Sequence, residues 1–597
     1  MRLSPRPGPD GGRRAPARTA GRAGLAIVAA TATALWAGVP QAVAAGPADV
    51  GLLAAGPAAA QAMAANQADH DDPADHNWNS GSVVPVTLTG GSATSAGPGI
   101  SVSGAVVTVT TAGTYQFTGT LTNGRIVVNA TGTGMVRLIL AGVTVNNSTG
   151  AALQVDAAGE VMVVLAAGTT NRLSDASSYV YPDPTVDEPN AALFSKANLT
   201  IAGTGTLDVR GNAYDGIASK DGLVVTGGTI VVNALDDGIR GKDYLLVEGG
   251  TVTVTAGGDG LKSDEDGTAA AGYVAVANGT VTVTASGDGV DAASDVVVWG
   301  GVLGVRAGGG SSVPVGSSST KGIKAGTLLV VSEGRVTVDS SDDGVHSDGA
   351  LTVDGGTVTV ATGDDGLKAG STLTVAAGSV TVSRSYEALE ALKVSVTGGT
   401  VNVTATDDAV NAVEEGLNEF VIAPNAWIRI SGGTLVASGG TDGLDSNGTF
   451  TLSGGTVVVS GSPTRGGGEG GLDSNGAATF TGGTMLSSGL SASTVTLPTS
   501  GQGWVSVRFS AVQAVGTIVH LATTSGTQLA TFRAEKRFQE VVLTSNQITR
   551  GASYRVYTGG SVSGTAVGGG TYLGGTLSGT LHSTVVAGQR TGGGPRP

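Results

Sequence analysis

A chain of 597 residues that is one-sixth glycine (100 residues), yet 40% hydrophobic and only 13% charged, is not a charged disordered polymer. Its glycines keep no three-residue period, so it is not a collagen either. A net charge of −15 lacks the basic face that a nucleic-acid partner requires, and the absence of cysteine removes disulfides, thiolate chemistry and cysteine-held zinc, leaving oxygen ligands for any metal.

Six arginines (Arg2, Arg6, Arg13, Arg14, Arg18 and Arg22) precede an apolar run over 24–39, and Ala42-Val43-Ala44 supplies a small-residue cleavage site. Residues 1–45 therefore read as an export signal, and the protein as secreted and extracellular. Removing them, with their six arginines and one aspartate, takes the net charge from −15 to −20. Residues 46–80 read as an alanine-rich flexible linker. No later segment is long and apolar enough to span a bilayer. Residues 81–210 read as irregular β-rich coils, with strand candidates at 125–128, 136–140 and 161–165.

Residues 211–495 carry two turn markers in fixed phase. Gly-Gly-Thr occurs at Gly227, Gly249, Gly355, Gly398, Gly432, Gly454 and Gly482. An Asp-Gly-aliphatic turn begins at Asp215, Asp237, Asp259, Asp288, Asp343, Asp365 and Asp442, with variants at Lys321, Glu387, Asp408 and Gly470. The base spacing is 22 residues, lengthened by insertions at 262–273, 306–320, 413–426 and 461–468. Between the markers, Thr251-Val252-Thr253-Val254-Thr255 alternates with the period of a strand. Self-similarity at this period with two or three short strands per repeat predicts an all-β parallel β-helix, a solenoid of about 22 residues per coil. Insertions that fall beside the Asp-Gly turns point to that edge as the binding face. Beyond residue 496 the repeat is lost: 496–585 read as a small C-terminal β domain or cap, and 586–597 as a disordered tail.

In that register Asp215, Asp237 and Asp259 stack in successive coils, and so do Asp343, Asp365 and Glu387. Carboxylates ~4.8 Å apart repel unless protonated, paired with a base or bridged by a cation. Basic neighbours are present: Arg240, Lys262 and Lys368 stand at the third position after the aspartate, and Lys220 and Lys242 precede Asp221 and Asp243. Several coils carry extra acids, among them Asp236, Asp264, Asp342 and Asp364. Calcium takes six to eight oxygens, which paired carboxylates and turn carbonyls can supply. The metal candidates are Asp215, Asp221, Asp236, Asp237, Asp243, Asp259, Asp264 and Asp288, and the carbohydrate-contacting candidates are Lys220, Arg240, Lys242, Lys262 and Lys368. The same Asp-Gly turn equally allows an aspartate to cap backbone N–H groups with no metal. His346, at the third position of its turn, reads as a surface residue on a basic strip.

Several stretches resemble a family of secreted bacterial carbohydrate-binding β-helix proteins, the cellulose- and acid-sugar-binding family known from clostridia. They include Leu138-Ile139-Leu140-Ala141-Gly142-Val143, Asn171-Arg172-Leu173-Ser174-Asp175 and Glu188-Pro189-Asn190-Ala191-Ala192-Leu193-Phe194-Ser195-Lys196. Asp236-Asp237-Gly238-Ile239-Arg240-Gly241-Lys242-Asp243, Gly258-Asp259-Gly260-Leu261-Lys262-Ser263-Asp264 and Ser385-Tyr386-Glu387-Ala388-Leu389-Glu390 continue the likeness. The resemblance implies a right-handed, pectate-lyase-like parallel β-helix, bound Ca2+, and recognition of cellulose or acidic sugars such as polygalacturonate without lyase activity. The chain departs from it where Lys321 and Gly470 replace the turn aspartate, and where Ala388 and Ala409 replace the next glycine, which weakens those turns as metal holders.

The resulting expectation is a monomeric, calcium-dependent, non-catalytic polysaccharide-binding protein. Its ligand would be acidic rather than crystalline cellulose, because the four tryptophans after the signal show no platform spacing. Two alternatives stand beside it: a polysaccharide lyase in which Lys262 or a similar lysine abstracts a proton, and a structural or adhesion solenoid.

Overall fold

Valine and threonine alternate because one face of each strand meets apolar side chains and the other meets water. The strand Thr251–Ala256 buries Val252 and Val254 and exposes Thr251, Thr253 and Thr255. It closes a repeat of three strands: β1 (Ile239–Gly241), β2 (Tyr244–Val247) and β3 (Thr251–Ala256). The next repeat supplies β4 (Leu261–Ser263), β5 (Tyr273–Val276) and β6 (Thr280–Ala285). β1 pairs with β4, β2 with β5 and β3 with β6, all parallel, and Val252 sits opposite Val281. This column continues through Leu303, Val336, Val358, Val380 and Val401, all buried. Each such side chain contributes about 1.5–3 kcal/mol by leaving water, and none can do so without the repeats on either side.

The two turn markers have separate steric reasons. The second glycine of Gly249-Gly250-Thr251 takes a left-handed φ of 83°, which an L side chain rarely adopts. In the Asp-Gly turn the reason is proximity: a Cβ on Gly238 would lie 2.2 Å from Val254 Cγ1 and 2.5 Å from the Gly260 carbonyl oxygen. Neighbouring repeats pass too closely there for any side chain.

The computed structural model describes residues 57–591 other than 182, 184, 465–469 and 491–496. The export signal expected at 1–45 lies outside the described residues, as do the start of the expected linker, part of the 461–468 insertion and the end of the expected tail. Among the described residues no helix is long and apolar enough to cross a membrane. The α-helix α1 (Pro57–Ala65) lays Ala59 and Ala62 on an outward apolar patch of Val224, Tyr244, Leu246, Tyr273, Val297 and Val330. Tyr244 and Tyr273 stack with centroids 5.2 Å apart, and their hydroxyls are met by His70 Nδ1 (2.7 Å) and the Gln67 carbonyl (2.9 Å). At the other end, Trp504–Gln513 and Phe538–Thr544 continue the large sheet antiparallel to its parallel walls. A separate six-stranded sheet follows, and with those strands it encloses Phe509, Phe532 and Phe538.

The structure is all-β, with 2% helix, but it corrects the expected architecture. The large sheet closes into a 12-strand parallel β-barrel and is not an open right-handed β-helix solenoid. The period reports which residues stack from one repeat to the next, and that stacking is observed. Whether the walls remain open or join is decided by strand tilt and stagger, which no repeat length encodes.

Candidate functional site

The Asp-Gly turns line up along one edge because the short strands behind them pair in register: Ile239 with Leu261, Leu261 with Val290, Val290 with Ile323, Ile323 with Val345, Val345 with Leu367, and Leu367 with Leu389. The residue two positions earlier forms the acidic ladder. Its first task is structural. Oδ1 of each ladder aspartate accepts the backbone N–H of the ladder residue one repeat on: Asp237 from Asp259 (2.8 Å), Asp259 from Asp288 (2.8 Å), Asp288 from Lys321 (2.7 Å), Asp408 from Asp442 (2.7 Å) and Asp442 from Gly470 (2.6 Å). Asp215, Asp343 and Asp365 make the same bond at 3.2–3.3 Å. These are carboxyl caps for donors with no partner in the strand ladders.

The second carboxylate oxygen turns to the third-position column. Arg240 lies 3.6 Å from Asp215 and 3.2 Å from Asp264; Lys262 lies 3.2 Å from Asp237 and 2.6 Å from Asp259; Lys368 lies 2.8 Å from Asp365 and 3.0 Å from Glu390. Lys220 is held by Glu188 and Lys242 by Glu265, both at 2.6 Å. Every basic residue the sequence nominated for carbohydrate contact is thus already paired with a carboxylate. Burial works against the charge of Lys262, but its hydrogen bond to Asp259 and the pull of Asp237 outweigh that and raise its pKa. Lys262 is thus held as an ammonium between Asp237 and Asp259 in the absence of a bound ion.

Of the eight nominated metal residues, Asp215, Asp237, Asp259 and Asp288 share the ladder. Asp236 is exposed beside it, and Asp264 pairs with Arg240. Asp221 and Asp243 stack on the next turn, where the Asp243 N–H donates to the Asp221 carbonyl. Burial raises Asp215 to about 7 against the pull of Arg240, and Asp288 to about 6 against hydrogen bonds from Ser319 and the Lys321 N–H.

The tight carboxylate groups lie further along the ladder. Among the described residues, two trios have oxygens within 4.8 Å of one another: Asp342, Asp343 and Asp364, and Asp365, Glu387 and Glu390. None of the eight nominated residues belongs to either. In the first trio Lys321 Nζ reaches Asp342 (3.0 Å) and Asp343 (2.8 Å), and His346 Nδ1 reaches Asp343 (2.8 Å). Burial opposes the Asp343 charge, yet the His346 hydrogen bond and Lys321 hold its pKa well below the usual carboxylate range.

The second trio carries more acid than base. Lys368 bonds Asp365 and Glu390, while burial and the Glu390 charge push Asp365 and Glu387 well above the ordinary range. Asn411 Nδ2 donates to Glu387 (3.0 Å), and the buried Asn411 Oδ1 has no hydrogen-bond partner. The carboxyl oxygens are donors of the kind hard divalent cations use, and an ion held by them would take the place of the Lys368 ammonium. The trio falls on the turn where Ala388 replaces glycine, a departure that by sequence alone weakens the turn as a metal holder. The usable signal was the third position, where Glu390 stands in the place of a lysine.

Three comparisons place these observations beside known proteins. A family model described as carbohydrate-binding domain-containing protein matches residues 103–366. A carbohydrate-binding domain-containing protein of Acetivibrio thermocellus is 38% identical over 136 residues, 23% of this chain and 48% of that protein. The chain thus spans about half the length of that curated relative. A solved structure described as a polysaccharide lyase-like protein from C. thermocellum, a gadolinium derivative, is 27% identical. It covers 46% of this chain and 93% of its own at a TM-score of 0.36, too low to bear on the fold. The family resemblance read from the motifs is the one these matches report.

Proposed function

We propose that this chain is a secreted, non-catalytic carbohydrate-binding protein that holds an acidic polysaccharide through calcium. The observation that carries the reading is the trio Asp365, Glu387 and Glu390 on the insertion-bearing edge, where three converging carboxyl groups are met by a single ammonium, Lys368, which an incoming ion would displace. The family match over residues 103–366 supports carbohydrate as the ligand class. The ion pairs support the calcium requirement. A polyuronate approaching this acidic chain meets lysines that are already neutralised, so direct ammonium–uronate pairing would have to break existing bridges. Asp365, Glu387 and Glu390 would hold the ion, which when bound supplies positive charge that protein and sugar carboxylates can share.

Crystalline cellulose is the less supported ligand, since Trp504 is buried and Trp427 lies under Arg429, whose guanidinium carbon is 4.2 Å from the ring centroid. The test is retention of the mature chain on immobilised polygalacturonate and on cellulose, with calcium and with a chelator. Retention on polygalacturonate in calcium, its loss on chelation, and weaker retention of Asp365→Asn/Glu390→Gln are expected. Retention that survives complete chelation refutes the calcium bridge. Absorbance from unsaturated uronide products in the same samples would refute the non-catalytic assignment.

A further inference from the structure

The insertion at 306–320 breaks the charge pattern of the turn edge. From Gly308 to Thr320 it reads Gly-Gly-Gly-Ser-Ser-Val-Pro-Val-Gly-Ser-Ser-Ser-Thr, thirteen residues with no charged side chain. It borders an open, shallow cavity of about 360 Å³. Ser286, Ser317, Ser318, Thr320 and Ser341 line the cavity, together with Val313 and Pro314. That volume falls in the range of small-ligand sites, about 300–1,000 Å³.

The cavity is built rather than incidental. Gly308, Gly309 and Gly310 all take left-handed φ values (58°, 83° and 88°), and a Cβ on Gly308 would lie 2.1 Å from Ser341 Oγ. The Ser311 N–H donates to Asp339 Oδ1 (2.7 Å), and Ser319 Oγ donates to Asp288 (2.7 Å), so the insertion is tied down at both ends. Thr320 and Ser341, both nine-tenths buried or more, share a hydrogen bond of 2.8 Å that fixes the floor beneath the insertion. The charges beside it are spent on the scaffold: Arg306 pairs with Asp339, Lys321 with Asp342 and Asp343, and Asp288 accepts from Ser319 and the Lys321 N–H.

We propose that this cavity is a second binding site, one that takes a single neutral pyranose ring, the end or side branch of a glycan, without calcium. Hydroxyls that both donate and accept match a sugar's hydroxyls. Val313 and Pro314 present an apolar surface to the ring's C–H face. A carboxylate ligand would find no cation in the lining and would lose its hydration without replacement. The proposal shares only the carbohydrate class with the reading above; its site, ligand charge and metal requirement differ.

The test is titration of the full mature chain with methyl β-D-glucopyranoside, methyl β-D-galactopyranoside and galacturonic acid, in chelator, followed by calorimetry and saturation-transfer NMR. At least one neutral glycoside should bind at least tenfold more tightly than galacturonic acid. Ser318→Trp, on the exposed rim, should weaken it tenfold or more with an unchanged circular dichroism spectrum. The milder Val313→Ala should weaken it several-fold. Absence of neutral glycoside binding, or binding unchanged in both variants, overturns the proposal. Both variants should keep calcium-dependent retention on polygalacturonate. Loss of retention with glycoside binding intact would count against the calcium reading alone.

Discussion

Stability should fall as pH rises across the acidic end of the ladder, and Asp442 is the residue through which to measure it. Burial, with neighbouring acids pushing the same way, raises Asp408 to about 7, Asp445 to about 8 and Asp442 to about 9. A carboxyl raised in this way keeps its proton in the folded chain after the unfolded chain has released it. Its contribution is therefore full below the unfolded pKa of about 4 and is lost as pH climbs through the folded value. Between pH 5 and 8 the folded Asp442 stays protonated, so it removes about 1.4 kcal/mol of stability per pH unit, about 4 kcal/mol over that range. Other groups titrate there too, so the decisive quantity is a difference between proteins. Asp442→Asn keeps the oxygen that accepts the Gly470 N–H at 2.6 Å and cannot ionise. In chelator, urea unfolding at pH 5, 6, 7 and 8 should show the variant gaining on the parent by about 1.4 kcal/mol per unit. A stability difference that stays constant from pH 5 to 8 would refute the reasoning, because the carboxyl would then ionise alike in both states.

Three further outcomes follow from the geometry. Asp237→Ala leaves the Asp259 N–H without its acceptor and should cost about 1–3 kcal/mol in thermal or urea unfolding, whereas Asp236→Ala, at an exposed position, should stay within about 0.5 kcal/mol. Gly322→Ala places a Cβ 2.1 Å from Val338 Cγ1 and 2.4 Å from the Gly344 carbonyl oxygen, and should cost about 1–3 kcal/mol, partly recovered when Val338→Ala opens the space. His346 donates to Asp343 and Asp348, and although burial opposes its charge these hydrogen bonds raise its pKa. The stability it adds is present below the unfolded pKa of about 6.5 and lost as pH rises through the folded value, so His346→Gln should abolish that part of the pH profile in a urea titration.

What could be read from the residues alone was the repeat and its phase. Period-two valines identify strands wherever they occur, because a strand sends alternate side chains to opposite faces. A spacing of 22 brings Asp237 under Asp259 because a parallel ladder tolerates no slip without exposing the valines. That registry is observed, and so is the family resemblance over residues 103–366. What the residues alone leave open is where long side chains turn. Lys262 and Lys368 could have faced solvent and a ligand. They instead reach the carboxylates on either side, since an unneutralised acid stack costs more than two immobilised lysines.

The dense carboxylate groups escaped the nominated residues for a related reason. Composition marks where acids are frequent, but only the packed turn shows that Asp365, Glu387 and Glu390 converge while Asp221, Asp236 and Asp243 do not. The neutral cavity at 308–320 depends on a loop settling beside its own turn, a contact with no period to announce it. Local chain chemistry thus determined the strands, the turns and the vertical registry, since each is set by backbone sterics and by neighbours one repeat away. Closure of the walls into a barrel, the pairing of each lysine and the convergence of the acids were decided by the tertiary structure, because each depends on distances between groups that the linear order leaves free.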